Sequence, residues 1–397
     1  MQLKNLAFWL GPVAIACLSA SASEAQQAPQ SGSAPCLDVS CPIQPEAAVK
    51  SETGAADKPY DWKSSFAQYK VGDVPRTADG KPDLQGIWSR AILTPLERPD
   101  SEADKAEIDP SLRSELEDAA QQRQLDLRTE PTETPAGEKT TDAYNTTFRE
   151  GFWYKVPMTS LHTSQVVDPP NGRLPPLTPA ARGQRKRADY VIDRPATGPE
   201  DRPLSSRCVR PDGIGPAWTG LGPGGQESTL EIIQSPQVLD IRTEALRSQL
   251  IYLDGRPLPP AGVHLEQGVG RGHWEGDTLV VEYTNFAQNG MVNGNKAYPP
   301  PVLVTSDGAV RKHLTERWKR LDDTHLLYGF TLDDPGTRTR PYSVEFVMWR
   351  LADQEQLVEY ACHEGNVNLE FTLSGARAQE REQEREQERE EADQPEK

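Results

Sequence analysis

The sequence is short of the residues that most directly announce a reaction. Of 397 residues, five are cysteine and six are histidine. No two histidines stand at His-x-His or His-x-x-x-His spacing, and no cysteine pair has a zinc-finger interval. No metal centre built from a local segment is therefore expected. Gly-x-Ser-x-Gly is absent, and Gly222-Pro223-Gly224-Gly225 lacks the Lys-Ser/Thr of a phosphate loop. Neither a nucleophile elbow nor a nucleotide cradle is read, and no cofactor is expected. Basic charge is scarce as well: 43 Lys and Arg face 60 Asp and Glu, for a net charge of −17. That balance argues against nucleic acid or an anionic membrane surface as the main partner. Apart from the N-terminal segment, no apolar run approaches the ~20 residues needed to span a bilayer.

What is present begins with an address. Lys4 precedes the apolar run Leu6 to Leu18, and small residues follow as Ala20-Ser21-Ala22 and Ser23-Glu24-Ala25. The pattern predicts a secretory signal peptide over residues 1–25 and a periplasmic or extracellular protein. Ala14-Ile15-Ala16-Cys17 only loosely resembles a lipobox, with Ala where Leu is usual, so lipidation at Cys17 stays open. Export would leave four cysteines in an oxidising compartment, Cys36, Cys41, Cys208 and Cys362, with three possible connectivities. Cys36–Cys41 and Cys208–Cys362 are the pairs expected, because the first two share a Pro/Ser-rich leader and the last two adjoin strand-like segments.

Residues 26–60 are Gln-, Pro-, Ser- and Ala-rich without an apolar period, which predicts a disordered leader. Residues 61–378 read as one β-rich domain. Residues 379–397 repeat Glu, Arg and Gln with nothing apolar to pack, and read as a charged tail. Within the domain, residues 97–225 form a helical and Pro-rich insertion. Asp109-Pro110 opens a helix running from Ser111 to about Leu127. From 156 to 225 the prolines forbid long helices and central strands, which leaves irregular chain wrapped over a surface. From 227 to 365 the pattern turns to short alternating strands. Leu230–Ile233, Gln237–Arg242, Ser248–Leu253, Leu279–Phe286, His313–Arg320, His325–Leu332, Tyr342–Arg350 and Leu357–Cys362 are separated by turn residues. This predicts an antiparallel meander, sandwich or barrel, and the lack of intervening helices excludes Rossmann and TIM topologies.

Pro75-Arg76-Thr77-Ala78-Asp79-Gly80-Lys81-Pro82-Asp83-Leu84-Gln85-Gly86-Ile87-Trp88 resembles the opening of a large family of secreted bacterial proteins without an assigned activity. The likeness continues through Val167-Asp168-Pro169-Pro170-Asn171-Gly172-Arg173, Trp274-Glu275-Gly276-Asp277-Thr278-Leu279-Val280-Val281-Glu282 and Glu359-Tyr360-Ala361-Cys362-His363-Glu364-Gly365-Asn366. It covers about residues 75–378 and departs at His273, where the family more often carries Arg or Lys. It implies export and architecture rather than chemistry. Gly86-Ile87-Trp88 ahead of a meander also resembles the Gly-x-Trp opening of lipocalin-like barrels. That likeness implies a barrel closed at one end by the Trp and able to hold one small apolar ligand.

Three functions follow as expectations. The first is a binding module for a small apolar ligand, with Trp88, Trp218, Tyr252 and Arg247 as candidate lining residues. The second is a lyase, isomerase or hydrolase in which His363 pairs with Glu364 or His162 for proton transfer near neutral pH. A structural account sets His363 and Glu364 at a strand end, binding backbone groups. The third is an envelope scaffold with no ligand at all.

Overall fold

The computed structural model describes residues 60–129, 132–133, 139–140, 159–183, 195–202, 208, 229–243, 248–265, 268–286, 312–351, 357 and 363–392. Its centre is a β-barrel. The strands are β1 (Gly86–Ser89), β2 (Thr132–Glu133), β3 (Lys139–Thr140), β4 (Val166–Asp168), β5 (Thr229–Gln234) and β6 (Val238–Thr243). They continue as β7 (Ser248–Tyr252), β8 (Val269–Glu275), β9 (Thr278–Thr284), β10 (His313–Arg320), β11 (His325–Asp333) and β12 (Tyr342–Arg350). β2 and β3 form a separate short ladder. β1 and β5 to β12 run in order around the barrel. It closes because Trp88 pairs with Leu230 of β5 on one side and Arg350 of β12 on the other. β4 adds to the free end of β12, with Val166 opposite Val344.

The mostly-β, lipocalin-like barrel that the sequence predicts is the architecture observed, with nine strands in the closed ring. It is not a pure antiparallel meander. β7 and β8 run parallel, Tyr252 opposite Arg271. Residues 253–268 between them carry Pro257, Pro259 and Pro260 and are too long and too interrupted for a hairpin, so the chain returns to the barrel in the same direction. β8 itself escapes sequence reading because Gly270 and Gly272 break its alternation, and glycine weakens a strand pattern. Both are needed: a Cβ on Gly270 would come 2.7 Å from the Tyr283 ring, and one on Gly272 2.5 Å from Leu253.

Alternation sorts the strands into two faces. Inward positions Trp88, Ile232, Ile241, Leu279, Val281, Trp318, Tyr328, Phe330, Phe346 and Met348 form one buried cluster. Trp88 closes one end. Its indole Nε1 donates to Leu84 O at 2.9 Å, and the Arg320 guanidinium lies 4.9 Å from its ring centroid. Arg320 is 2% exposed, and its N–H groups are spent on the carbonyls of Asp83, Asp322 and Asp323. Such fully used donors are what lets a guanidinium stay buried. The Asp79-Gly80 and Gly276-Asp277 turns meet at the same end, where Arg76 reaches Asp277 with bonds of 3.0 and 2.7 Å.

Part of the outward face is covered too. α1 (Trp62–Phe66), N-capped by Asp61, lays Phe66 and then Tyr69 against Leu321 and Leu327, forming a second buried cluster outside the barrel. Gly329 makes room for it, since a Cβ there would sit 3.1 Å from the Phe66 ring and 3.2 Å from Glu345 Cγ. The helix expected after Asp109-Pro110 is α2 (Pro110–Thr129), and Asp109 Oδ1 accepts from Ser111 N at 2.8 Å as its cap. The tail expected as solvated charged chain is helical through Ala392, in α3 (Asn368–Ala392). Its start is anchored by Arg377 donating to Ala196 O and Thr197 O, and ion pairs one turn apart, such as Arg385 with Glu382 at 2.8 Å, support the rest.

Candidate functional site

On the barrel's outer wall, the segment around His162 and α2 enclose a cavity of about 510 Å³. Its floor and sides are Leu93, Pro95, Ile108, Leu112 and Leu116, with His162, Thr159 and Thr163 among them. Backbone bonds fix this arrangement: Ile108 N donates to Leu161 O at 2.9 Å and Thr163 N to Ala106 O at 3.1 Å. α2 is tied in through Glu117, whose Oε1 accepts from both Thr159 N at 2.9 Å and Thr159 Oγ1 at 2.7 Å. Leu112 and Leu116, one turn apart on α2, stay 42% and 40% exposed while lining the cavity. A helix normally turns such a pair into a core. Here the pair faces a space large enough for a small molecule.

His162 stands between this cavity and the barrel. Its Nε2 is buried, makes no hydrogen bond among the described residues, and lies 4.0 Å from Glu345 Oε2. The Tyr69 ring meets the imidazole edge-on with centroids 6.3 Å apart. Burial is the main cause that lowers the His162 pKa; the Glu107 carboxylate opposes it and the Arg98 guanidinium adds to it. The ring is thus held uncharged at neutral pH. Glu345 is fully buried on the outward side of β12 and takes one bond, 2.9 Å from Ser65 Oγ of α1. Burial pushes its carboxyl up to about 8, so it is largely protonated at neutral pH. A neutral imidazole beside a protonated carboxyl gives a proton acceptor and a proton donor without a buried charge.

Inside the barrel lies a second buried acid. Tyr328 OH donates to Glu316 Oε1 at 2.7 Å, and the Tyr283 hydroxyl and Trp318 indole N–H face the same carboxyl. Burial raises Glu316 to about 7 against the pull of these three donors, and burial beside the acid drives both phenols well above their usual range.

Of the residues singled out from sequence, the structure brings His162 into this site. His363 and Glu364 occupy an exposed turn ahead of α3, and the strand expected over Leu357–Cys362 lies, but for Leu357, outside the described residues. Among the described residues neither contacts His162. Trp88 is sealed in the barrel end. Tyr252 sits at the end of β7, with Arg256 3.7 Å and Arg271 5.4 Å from its ring, and does not line the cavity. Trp218, Arg247, Cys36, Cys41 and Cys362 lie outside the described residues. Cys208 is disulfide-bonded, and Asn366 Nδ2 is 3.1 Å from its sulfur.

Glu345 was not legible as a site residue, because alternation along Tyr342–Arg350 marks it as a solvent-facing charge. A signal existed: Leu326-Leu327-Tyr328 and Phe346-Val347-Met348 are apolar at consecutive positions, which means both faces are covered. Among the described residues there is no group of three or more metal-type ligands, and no helix long and apolar enough to cross a membrane. The chain matches no protein-family model, no curated protein and no solved structure.

Proposed function

We propose that this is an exported binding protein that holds a small, mainly apolar molecule against the outer wall of its barrel. The observation that carries the reading is the cavity of about 510 Å³ into which α2 turns Leu112 and Leu116 instead of burying them. Apolar side chains left open to this half-open pocket gain roughly 25 cal/mol per Å² when a ligand removes them from water. Export rests on the N-terminal charged and apolar pattern, and membership of the secreted bacterial family rests on the Arg76–Trp88 and Trp274–Glu282 motifs. In that setting Cys208 pairs with Cys362, and Cys36 with Cys41. N-phenylnaphthylamine, a neutral dye that brightens in apolar surroundings, tests the binding. Its fluorescence rises on addition of the protein and is lost with Leu112→Asp or Leu116→Asp. Equal signals from both variants and the native chain would overturn the assignment to this cavity.

A second reading is favoured by the His162–Glu345 geometry: general acid–base chemistry on the bound molecule, in a lyase, isomerase or hydrolase. His162 would take the proton and Glu345 return it. His162→Gln then abolishes turnover of a substrate while the dye still binds. Turnover that survives the change excludes this pair as the catalyst.

A further inference from the structure

We propose that the molecule bound in the outer cavity is an amphiphile whose polar end is a protonated amine. The inference rests on the binding reading above and adds the chemistry of the headgroup. The cavity is lined by apolar Leu93, Ile108, Leu112 and Leu116 and by charged Glu102, Lys105, Glu107 and Asp109. These charges are unequal. Lys105 Nζ lies 3.1 Å from Glu102 Oε2, so the one ammonium among the described lining residues is already matched. Glu107 and Asp109 have no ion-pair partner among the described residues. Asp109 keeps its charge because Ser111 donates to it through both hydroxyl and amide, which lowers its pKa and satisfies the first turn of α2. The α2 N-terminus therefore offers nothing further to an anion.

The inner end of the cavity points the same way. The Glu107 charge reaches His162, whose buried Nε2 has no partner among the described residues. Arg98 is the cation whose charge opposes that of Glu107 at His162, and its buried guanidinium is already engaged by Thr163 Oγ1, a lining residue, at 3.1 Å and by Pro170 O at 3.2 Å. Among the described residues of the lining a ligand carboxylate would meet two carboxylates and no cation that is not already engaged. An alkylammonium would lay its chain on the leucines and its charge between Glu107 and Asp109, in the field of a chain of net charge −17.

The test is a titration series with one chain and three heads: octylamine, octanol and octanoate, followed by calorimetry at neutral pH and low salt. Octylamine binds about fivefold tighter than octanol, the size of one exposed charge pairing, and octanoate binds weakest. Glu107→Gln brings octylamine down toward octanol and leaves octanol unchanged, and added salt does the same. If octanol binds as tightly as octylamine, the amine assignment is overturned while the cavity reading stands. If octanoate binds tightest, the headgroup is anionic and the assignment is again wrong. If none of the three binds, both the headgroup and the cavity reading fall.

Discussion

The wall between the barrel's inside and outside separates two buried glutamates treated in opposite ways. Glu316, facing in, is surrounded by donors: Tyr328 at 2.7 Å, with Tyr283 and Trp318 turned toward it. Glu345, facing out, accepts from Ser65 Oγ and has a neutral imidazole 4.0 Å away; one oxygen of each acid, Glu345 Oε1 and Glu316 Oε2, has no hydrogen-bond partner among the described residues. Both are fully buried, yet Glu316 is pushed only to about 7 and Glu345 to about 8. Three donors stabilise the ionised form of one acid, and the other has little to offset its desolvation. The inner acid belongs to a packed network that specifies the core. The outer acid lies behind His162, which lines the cavity, and that imidazole is what connects it to the site.

Substitutions sharpen this contrast, beginning with the largest effect. Trp88→Ala removes the side chain that closes the barrel and the platform under Arg320. A loss of about 3–5 kcal/mol is expected in denaturant unfolding. A loss below about 1 kcal/mol would mean that the barrel end is not sealed by this residue. Next come the two acids. Each has a folded-state pKa raised above its unfolded value near 4.5, so each contributes stability below that value that is lost as pH rises to about 7 for Glu316 and about 8 for Glu345. The native chain therefore melts lower at pH 8 than at pH 5 on their account. Glu345→Gln flattens that slope and raises the melting temperature at the alkaline end. Glu316→Gln flattens it less, because the Glu316 carboxyl is raised less, to about 7 against about 8. Equal slopes in native and Glu345→Gln chains would show that Glu345 ionises freely.

The smallest effect on stability is expected at the clasp beneath the barrel. Arg76→Ala breaks a bidentate pair with Asp277 whose side chains are 44% and 50% exposed, and the loss of stability is far smaller than that at Trp88. A loss comparable to that at Trp88 would make the clasp part of the core.

The barrel strands were readable because their inward faces alternate over short runs, and the observed β10, β11 and β12 fall within a residue of the segments predicted. β8 was not, since its two glycines carry no hydrophobic signal, and β4 was hidden in a Pro-rich stretch where only Val166 packs inward. The motifs that made the family resemblance conspicuous are largely construction: Arg76, Asp277 and Trp88 fasten and close one end. The site lay elsewhere. His162 could be singled out from composition alone, as one of six histidines, whereas its partner depended on α1 folding over β12, a contact between residues 280 positions apart in sequence. His363 and Glu364 adjoin each other in sequence, but both are exposed, and among the described residues no second element buries them.

The most direct test of the central claim is to fill the outer cavity and ask whether binding goes with it. Leu116→Trp places a larger side chain into that space from an exposed helix position, so folding is unaffected. Octanol affinity measured by calorimetry should fall at least about tenfold, with the melting temperature unchanged. Unchanged affinity in a variant that melts like the native chain would place the ligand elsewhere and contradict the account.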